Sequence, residues 1–440
     1  MEKLMTSKAR INQQLLDSGP VDHIVTGIGQ LCTMESGDGI TASPRRGKML
    51  SEIGAINDAA FAVKDGKIAA VAKSDELEKL VTIGPDTTGE DIDGRLILPG
   101  FVDPHTHSVF GKTRQDEYDR RIKGETYLEI AAAGGGIHSS VNDLRSRSSE
   151  NLLELTCNRL ADMLEVGTTT VEIKSGYGLS LEDELRMLEI AKEAGEEVNI
   201  GTILTCLAAH EVPKEFKANR EEYIDLICQK VLPAVAEQSL AQRLDVFCEP
   251  TVFTLKETEK IINCGMSLGL RATVHADELA SYGAAQLAAE LGADSADHLI
   301  QIDSAGIAAL AKSDTVAVVL PGTVFSLGID KWAPAREMID QGVAVALATD
   351  FNPGSSPIRS MQVIMSIACT QMKMTPAEAL VASTINSASA LGLSDKVGSI
   401  APGKCADYLI LDYDDYRLVP YHTGHNSVVA VFRNGEQVVG

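Results

Sequence analysis

The chain has 440 residues, 44% of them hydrophobic and 23% charged, with a formal net charge of −23. This is an ordinary globular composition with enough length for a large core, and its acidic balance argues against a phosphate-reading surface, so no nucleic-acid partner is expected. No run reaches the ~18 consecutive apolar residues of a membrane span, so no membrane partner is expected either.

Met1 to Asp17 is polar and mixed in charge rather than signal-like, and a cytoplasmic location is expected. The eight cysteines (32, 157, 206, 228, 248, 264, 369 and 405) include no Cys-x-x-Cys pair, which points to small buried side chains rather than a disulfide framework or zinc ribbon. Ser7 to Leu16 is predicted as a short helix. From Val21 the texture becomes short apolar segments, and Lys64-Asp65-Gly66-Lys67 sets Asp-Gly between two of them, a hairpin signal.

From Leu96 the pattern alternates strand, polar loop and amphipathic helix. Predicted strands are Leu96–Val102, Thr168–Ile173, Ile200–Cys206, Asp245–Cys248, Ala272–His275, Ser295–His298, Val316–Leu320 and Val343–Ala348. Between them helices are predicted, among them Leu181–Ala194, Arg220–Ala236, Leu255–Leu268, Gly283–Leu291 and Ala333–Asp340. Eight strands alternating with helices predict an α/β fold, a TIM (β/α)8 barrel, with an open doubly wound sheet as the other architecture. After a last helical stretch at Pro376–Leu391, strand texture returns at Asp407–Leu411, Val428–Phe432 and Gln437–Val439, with Asn434-Gly435 marking a second hairpin. The expected division is 1–95 and 396–440 as one small β-sandwich-like domain built from both ends, with 96–395 as the barrel.

Barrel chemistry sits at the C-terminal ends of the strands. The first strand runs into Asp103-Pro104-His105-Thr106-His107, where residues i and i+2 share a face and two imidazoles project together. The fifth ends at His275 with Asp277 and Glu278 beyond it, the sixth at Asp297-His298 and the eighth at Thr349-Asp350. Three imidazoles and a carboxylate suit one divalent ion, zinc or iron, which would acidify a bound water and make hydrolysis the natural reaction class. Glu278 and His298 remain as proton carriers, and Asp350 is a candidate both for the metal and for holding the water.

Leu98-Pro99-Gly100-Phe101-Val102-Asp103-Pro104-His105-Thr106-His107 resembles the first-strand signature of the amidohydrolase superfamily, and Pro402-Gly403-Lys404-Cys405-Ala406-Asp407 resembles its return from barrel to β domain. More narrowly, several stretches resemble the imidazolonepropionase family: Ala133-Gly134-Gly135-Gly136-Ile137, Lys174-Ser175-Gly176-Tyr177-Gly178-Leu179, Val274-His275-Ala276-Asp277-Glu278, Ser295-Ala296-Asp297-His298, Leu320-Pro321-Gly322-Thr323 and Ala348 through Ser356.

That resemblance implies opening of the ring of 4-imidazolone-5-propionate to N-formimidoylglutamate in histidine degradation. It implies His105, His107, His275 and Asp350 as metal ligands, and Glu278 and His298 in acid–base roles. It also implies Arg114, Tyr177, His210, Asn352, Gly354 and Ser355 as substrate contacts, with a homodimer as the assembly. A guanidinium at Arg114 suits the carboxylate of a small anionic heterocycle.

Read without the resemblance, Arg114 belongs to a charge run with Lys112, Asp116, Glu117, Asp119, Arg120 and Arg121, Tyr177 packs beside a glycine-rich turn, and His210 is a loop histidine. Lys174 resembles the carboxylated lysine that bridges two metals elsewhere in the superfamily, but it follows the second strand, whereas the resemblance implies such a lysine on the fourth, which ends at Glu249; one metal is therefore expected. The family pattern is broken at Lys112 and at Glu211, which puts a negative charge beside an anion site. The other enzyme reading is a superfamily deaminase acting on a purine, pyrimidine or related heterocycle.

Overall fold

The computed structural model describes residues 9–36, 44–125, 129 and 134–440. The chain packs as two compact units, 1–102 with 164–169 and 360–440, and 103–163 with 170–359. Among the described residues no helix is long and apolar enough to cross a membrane. Of the predicted segments, Ser7 and Lys8 of the N-terminal helix and Ala133 of the glycine-rich stretch lie outside the described residues.

The barrel strands are β1 (Phe101–Asp103), β2 (Thr168–Lys174), β3 (Gly201–Ala209), β4 (Arg243–Cys248), β5 (Arg271–Ala276), β6 (Ser295–His298), β7 (Val316–Val319) and β8 (Val345–Leu347). Sheet order follows chain order, as a succession of strand–helix–strand crossovers requires. The ring closes through a single parallel bridge between Thr106 and Phe351. At that seam His107 N–H donates to the Phe351 carbonyl (2.8 Å) and Asp350 N–H to the His105 carbonyl (3.1 Å). The backbone that shuts the barrel is therefore the backbone that carries His105, His107 and Asp350.

All eight predicted barrel strands exist, with one correction at the first. The apolar run from Leu96 divides at Gly100 between two sheets: Leu96–Pro99 joins the outer sheet and Phe101–Asp103 opens the barrel. A Cβ at Gly100 would sit 2.1 Å from Thr169 Oγ1, so only glycine lets the strands approach at the break. The predicted Arg220–Ala236 helix is also interrupted. It runs Arg220–Leu226, widens to a π turn over Ile227–Val231 and resumes at Leu232–Glu237. Pro233 has no N–H to give the preceding turn, which accounts for the wider loop.

In the other unit, strands from both chain ends form one nine-stranded mixed sheet. Leu96–Pro99 lies parallel to His23–Cys32 and antiparallel to Tyr408–Leu411. Alternation decides its two faces: Phe61 packs with Ile97, Tyr408 and Phe432, whereas Ala60 and Ala62 face the other way with Ala69 and Ala70. Phe61 meets Tyr408 edge-on at 5.0 Å and Tyr408 stacks on Phe432 at 4.4 Å, so residues from the two ends share one core.

Both predicted hairpins are present, with Asp65-Gly66 and Asn434-Gly435 at positive φ as a two-residue turn of this hand requires. The N-terminal prediction is corrected where it is described. Arg10–Ile11 is a strand pairing with Lys67–Lys73, and the helix begins only at Gln13 under an Asn12 cap. Leu15 and Leu16 of that helix cover the alanine face.

Candidate metal centre and anion pocket

The strand ends converge as their two-residue period dictates. His105, His107 and Asp350 bring ligand atoms within 4.8 Å of one another, as do His105, His275 and His298, and His107, His210 and His275. Asp350 Oδ1 lies 3.6 Å from His105 Nε2 and 3.5 Å from His107 Nε2. Its other oxygen accepts from the Thr323 hydroxyl, which fixes the carboxylate's rotation.

Two of the imidazoles are tethered from behind. His105 Nδ1 bonds Asp297 Oδ2 at 2.7 Å, and His275 Nδ1 stands 2.8 Å from Asp245 Oδ2, at hydrogen-bonding length though off the line of the ring N–H. His105 Nε2 is buried without a hydrogen-bond partner. An orphaned imidazole nitrogen beside an Asp350 oxygen, in a pocket of further imidazoles, is the donor set a divalent cation takes.

Burial governs the charges here. It pushes Asp350 up to about 6. Burial, with the Asp350 charge, pushes Glu278 up to about 8. Burial, with His275 nearby, holds His210 down at about 3, and burial likewise holds His105 and His107 well below the ordinary imidazole value. His275 goes the other way because Asp245 outweighs its burial. Neutral imidazoles are the form that binds a metal. Glu278 Oε2 faces His298 Nε2 at 3.6 Å, and its own backbone N–H is held by Glu249 Oε1 at 2.7 Å.

Arg114 lies beside the Asn352–Ser355 loop. Its N–H donates to the Pro353 carbonyl (3.2 Å), its Nη2 donates to Glu117 Oε2 (2.6 Å), and its Nε is buried without a partner. Asn352 shapes that loop: its Oδ1 accepts from the N–H groups of Gly354 (2.7 Å) and Ser355 (2.8 Å), and its Nδ2 donates to Ser355 Oγ (2.8 Å). A Cβ on Gly354 would fall 2.2 Å from Arg114 Nη1, so the guanidinium rests on that glycine. Tyr177 and His210 complete the wall: His210 stacks on His107 with ring centres 5.0 Å apart, and Tyr177 lies 5.9 Å from His107.

The expected metal and acid–base residues His105, His107, His275, His298, Glu278 and Asp350 come together with Tyr177 and His210, and Arg114 comes together with the Asn352–Ser355 loop. Glu211, expected to disturb the anion site, bonds the Val212 N–H (2.8 Å) and interacts with Lys217 and Arg220. Sequence reading missed the supports. Asp245, Asp297 and Thr323 were assigned no role. Arg121, part of the charge run, donates to the Gly354 carbonyl (3.0 Å). Lys174 is no metal bridge in waiting: its Nζ lies 2.7 Å from Glu172 Oε1, 2.8 Å from Asp245 Oδ2 and 3.7 Å from Asp297 Oδ2, all fully buried. Burial alone disfavours the ammonium, but these three carboxylates hold its pKa above the ordinary lysine value.

Residues 96–438 match the model of the amidohydrolase family. An imidazolonepropionase from Symbiobacterium thermophilum is 45% identical over 96% of this chain and 98% of its own length, and one from Solibacter usitatus is 47% identical over 90% and 94%. The chain belongs to the imidazolonepropionase family. It is a hydrolase of the amidohydrolase fold. Solved structures share that fold at low identity: a zinc-bound adenosine deaminase from Xanthomonas campestris (19% identical, TM-score 0.72, 96% of this chain and 93% of that one) and a triazine hydrolase described from Arthobacter aurescens (17%, 0.74, 95% and 94%).

Proposed function

We propose that this chain hydrolyses the cyclic amide of 4-imidazolone-5-propionate to N-formimidoyl-L-glutamate, using one divalent cation, zinc or iron, held by His105, His107, His275 and Asp350. The observation that carries the reading is that one unit holds both imidazole and carboxylate triads able to take a metal and a guanidinium seated against Gly354, four residues beyond Asp350. The relatives' shared activity supports it. When bound, such a cation acts as a Lewis acid and lowers the pKa of water towards neutrality.

The protein's own residues do the rest. Arg114 takes the propionate bidentately, and Asn352 keeps the loop shaped around Gly354 and Ser355 so that the ring is oriented against the histidines. Tyr177 and His210 border the ring and exclude water on that side. Asp350 accepts the Thr323 hydroxyl at one oxygen and directs the other inward. Glu278, with a pKa near neutrality, exchanges protons and delivers one to the leaving ring nitrogen, while His298, opposite it, donates to the oxygen that becomes negative. In the same reading the partner is a small anionic heterocycle, the pathway is histidine degradation in the cytoplasm, and the active form is a homodimer.

The test is the ultraviolet decay of freshly generated 4-imidazolone-5-propionate by metal-analysed protein, with adenosine and guanine assayed alongside. Decay that requires the metal supports the proposal. Deamination of a purine without ring opening of the imidazolone would replace it with the deaminase reading.

A further inference from the structure

Below the histidines lies a layer of charged side chains contributed by alternate strands: Glu172 and Lys174 from β2, Asp245 from β4 and Asp297 from β6. Alternate strands of a barrel fill a common layer of its interior, and that layer is ordinarily apolar. Here it holds three carboxylates and one ammonium with no side-chain exposure. Burying such a group costs several kcal/mol per ion unless it is paired and bonded on all sides. Glu172 therefore also accepts from the Thr205 hydroxyl, and Asp245 Oδ1 also accepts from the His275 backbone N–H (3.1 Å).

The layer has one centre. Lys174 is the only cation that these carboxylates contact among the ion pairs of the described residues other than the histidines themselves. Of its three partners, two touch imidazoles: Asp297 holds His105 Nδ1 and Asp245 faces His275 Nδ1. In both rings the tethered nitrogen is Nδ1, which leaves Nε2 directed at the pocket. A carboxylate behind a ligating histidine fixes ring orientation and tautomer. It does so only while it stays in place, and two carboxylates this close repel unless a cation lies between them.

We propose that Lys174 is a positioning residue of the metal centre: its ammonium holds Asp245 and Asp297 together as an anionic layer that fixes His275 and His105 with Nδ1 protonated and Nε2 free for the cation. Carboxylates outnumber the ammonium in this layer, which also favours a cation above it. This rests on the metal assignment proposed above, and the two are tested separately.

Zinc affinity is measured by competition with a chromophoric chelator on wild-type protein and on Lys174→Met, with folding checked by circular dichroism. Second-sphere losses at ligating histidines weaken metal binding about 10- to 100-fold, and a loss of that size is expected. Failure of the wild type to bind either zinc or, titrated in the same way, iron(II) overturns the metal assignment and this inference with it. Equal affinity of a folded Lys174→Met overturns this inference alone.

A second readout needs no variant. Nitrogen-15 spectra of the metal-free wild type, labelled at its nine histidines and recorded at a pH high enough for both rings to be neutral, are expected to show His105 and His275 as single Nδ1–H tautomers, and either neutral ring found with its one proton on Nε2 overturns the proposal. In a folded Lys174→Met the two rings are expected to exchange between tautomers. Should that variant not fold, the wild-type spectrum decides.

Discussion

Removing the Arg114 guanidinium should separate substrate binding from folding, because the group proposed to hold the substrate is also ion-paired within the fold. Its Nη2 is bonded to Glu117 at 2.6 Å, and the two side chains are 11% and 10% exposed, so screening by solvent is slight. Arg114→Ala leaves a carboxylate of the substrate unpaired in a desolvated pocket, which typically costs ~2–4 kcal/mol, or about 30- to 1,000-fold in kcat/KM, carried mainly by KM. It also strands Glu117, whose other side-chain hydrogen bond among the described residues is from the Gly136 N–H at 3.2 Å, and lowers stability by roughly 1–3 kcal/mol. Adding Glu117→Gln removes the stranded charge. The double variant should therefore recover most of the lost stability in a urea melt while KM stays high in the ultraviolet assay. A KM that returns with stability would show that Arg114 acts through the fold, and an unchanged KM in Arg114→Ala would refute the anion pocket outright.

Other expectations follow from single contacts. Gly354→Ala places a methyl against the end of the flexible Arg114 side chain; KM should rise roughly tenfold, with the melting temperature nearly unchanged because Gly354 does not use positive φ. Glu278→Gln keeps the volume and removes the proton carrier, so kcat should fall about 10²- to 10⁴-fold with little change in zinc content by metal analysis. His275→Ala should lose the metal, and activity retained without metal would contradict the ligand assignment. Lys404 is buried, donates to the Ser394 carbonyl and Ser399 Oγ, and burial lowers its pKa to about 8. Between pH 8 and 10.5 the unfolded chain then binds more protons than the folded one, so this group makes stability rise with pH across that window. Lys404→Met should abolish that part of the slope, read as the wild-type-minus-variant difference in urea unfolding free energy.

What could be read in the sequence was whatever is local. Parallel barrel strands are buried on both sides and appear as short apolar runs, so their number and order could be counted, and the residues at or just beyond their C-terminal ends, His105, His107, His275, His298 and Asp350, fall at the rim by position alone. The break at Gly100 was hidden because the apolar run continues from Leu96–Pro99 into Phe101 and Val102, both segments being fully buried, and only their partner strands distinguish them. The π turn was hidden for a related reason: the apolar period of residues 220–236 continues through Ile227–Val231, and Pro233 was the one sign against a regular helix.

The supporting layer is the instructive omission. Glu172 and Lys174 in Thr-Val-Glu-Ile-Lys, and Asp245 in Leu-Asp-Val-Phe, are charged residues within strands that are otherwise apolar, and a buried charge needs a partner. That signal was present in each strand. The identity of the partner was not, because Lys174, Asp245 and Asp297 meet only where the barrel brings β2, β4 and β6 round a common axis. A histidine at a strand end announces itself by position, whereas the carboxylate that orients it lies on another strand, separated in the chain by 192 residues for His105 and Asp297. Long-range pairing of this kind is a property of closure, and closure here runs through Thr106 and Phe351, next in the chain to His105, His107 and Asp350.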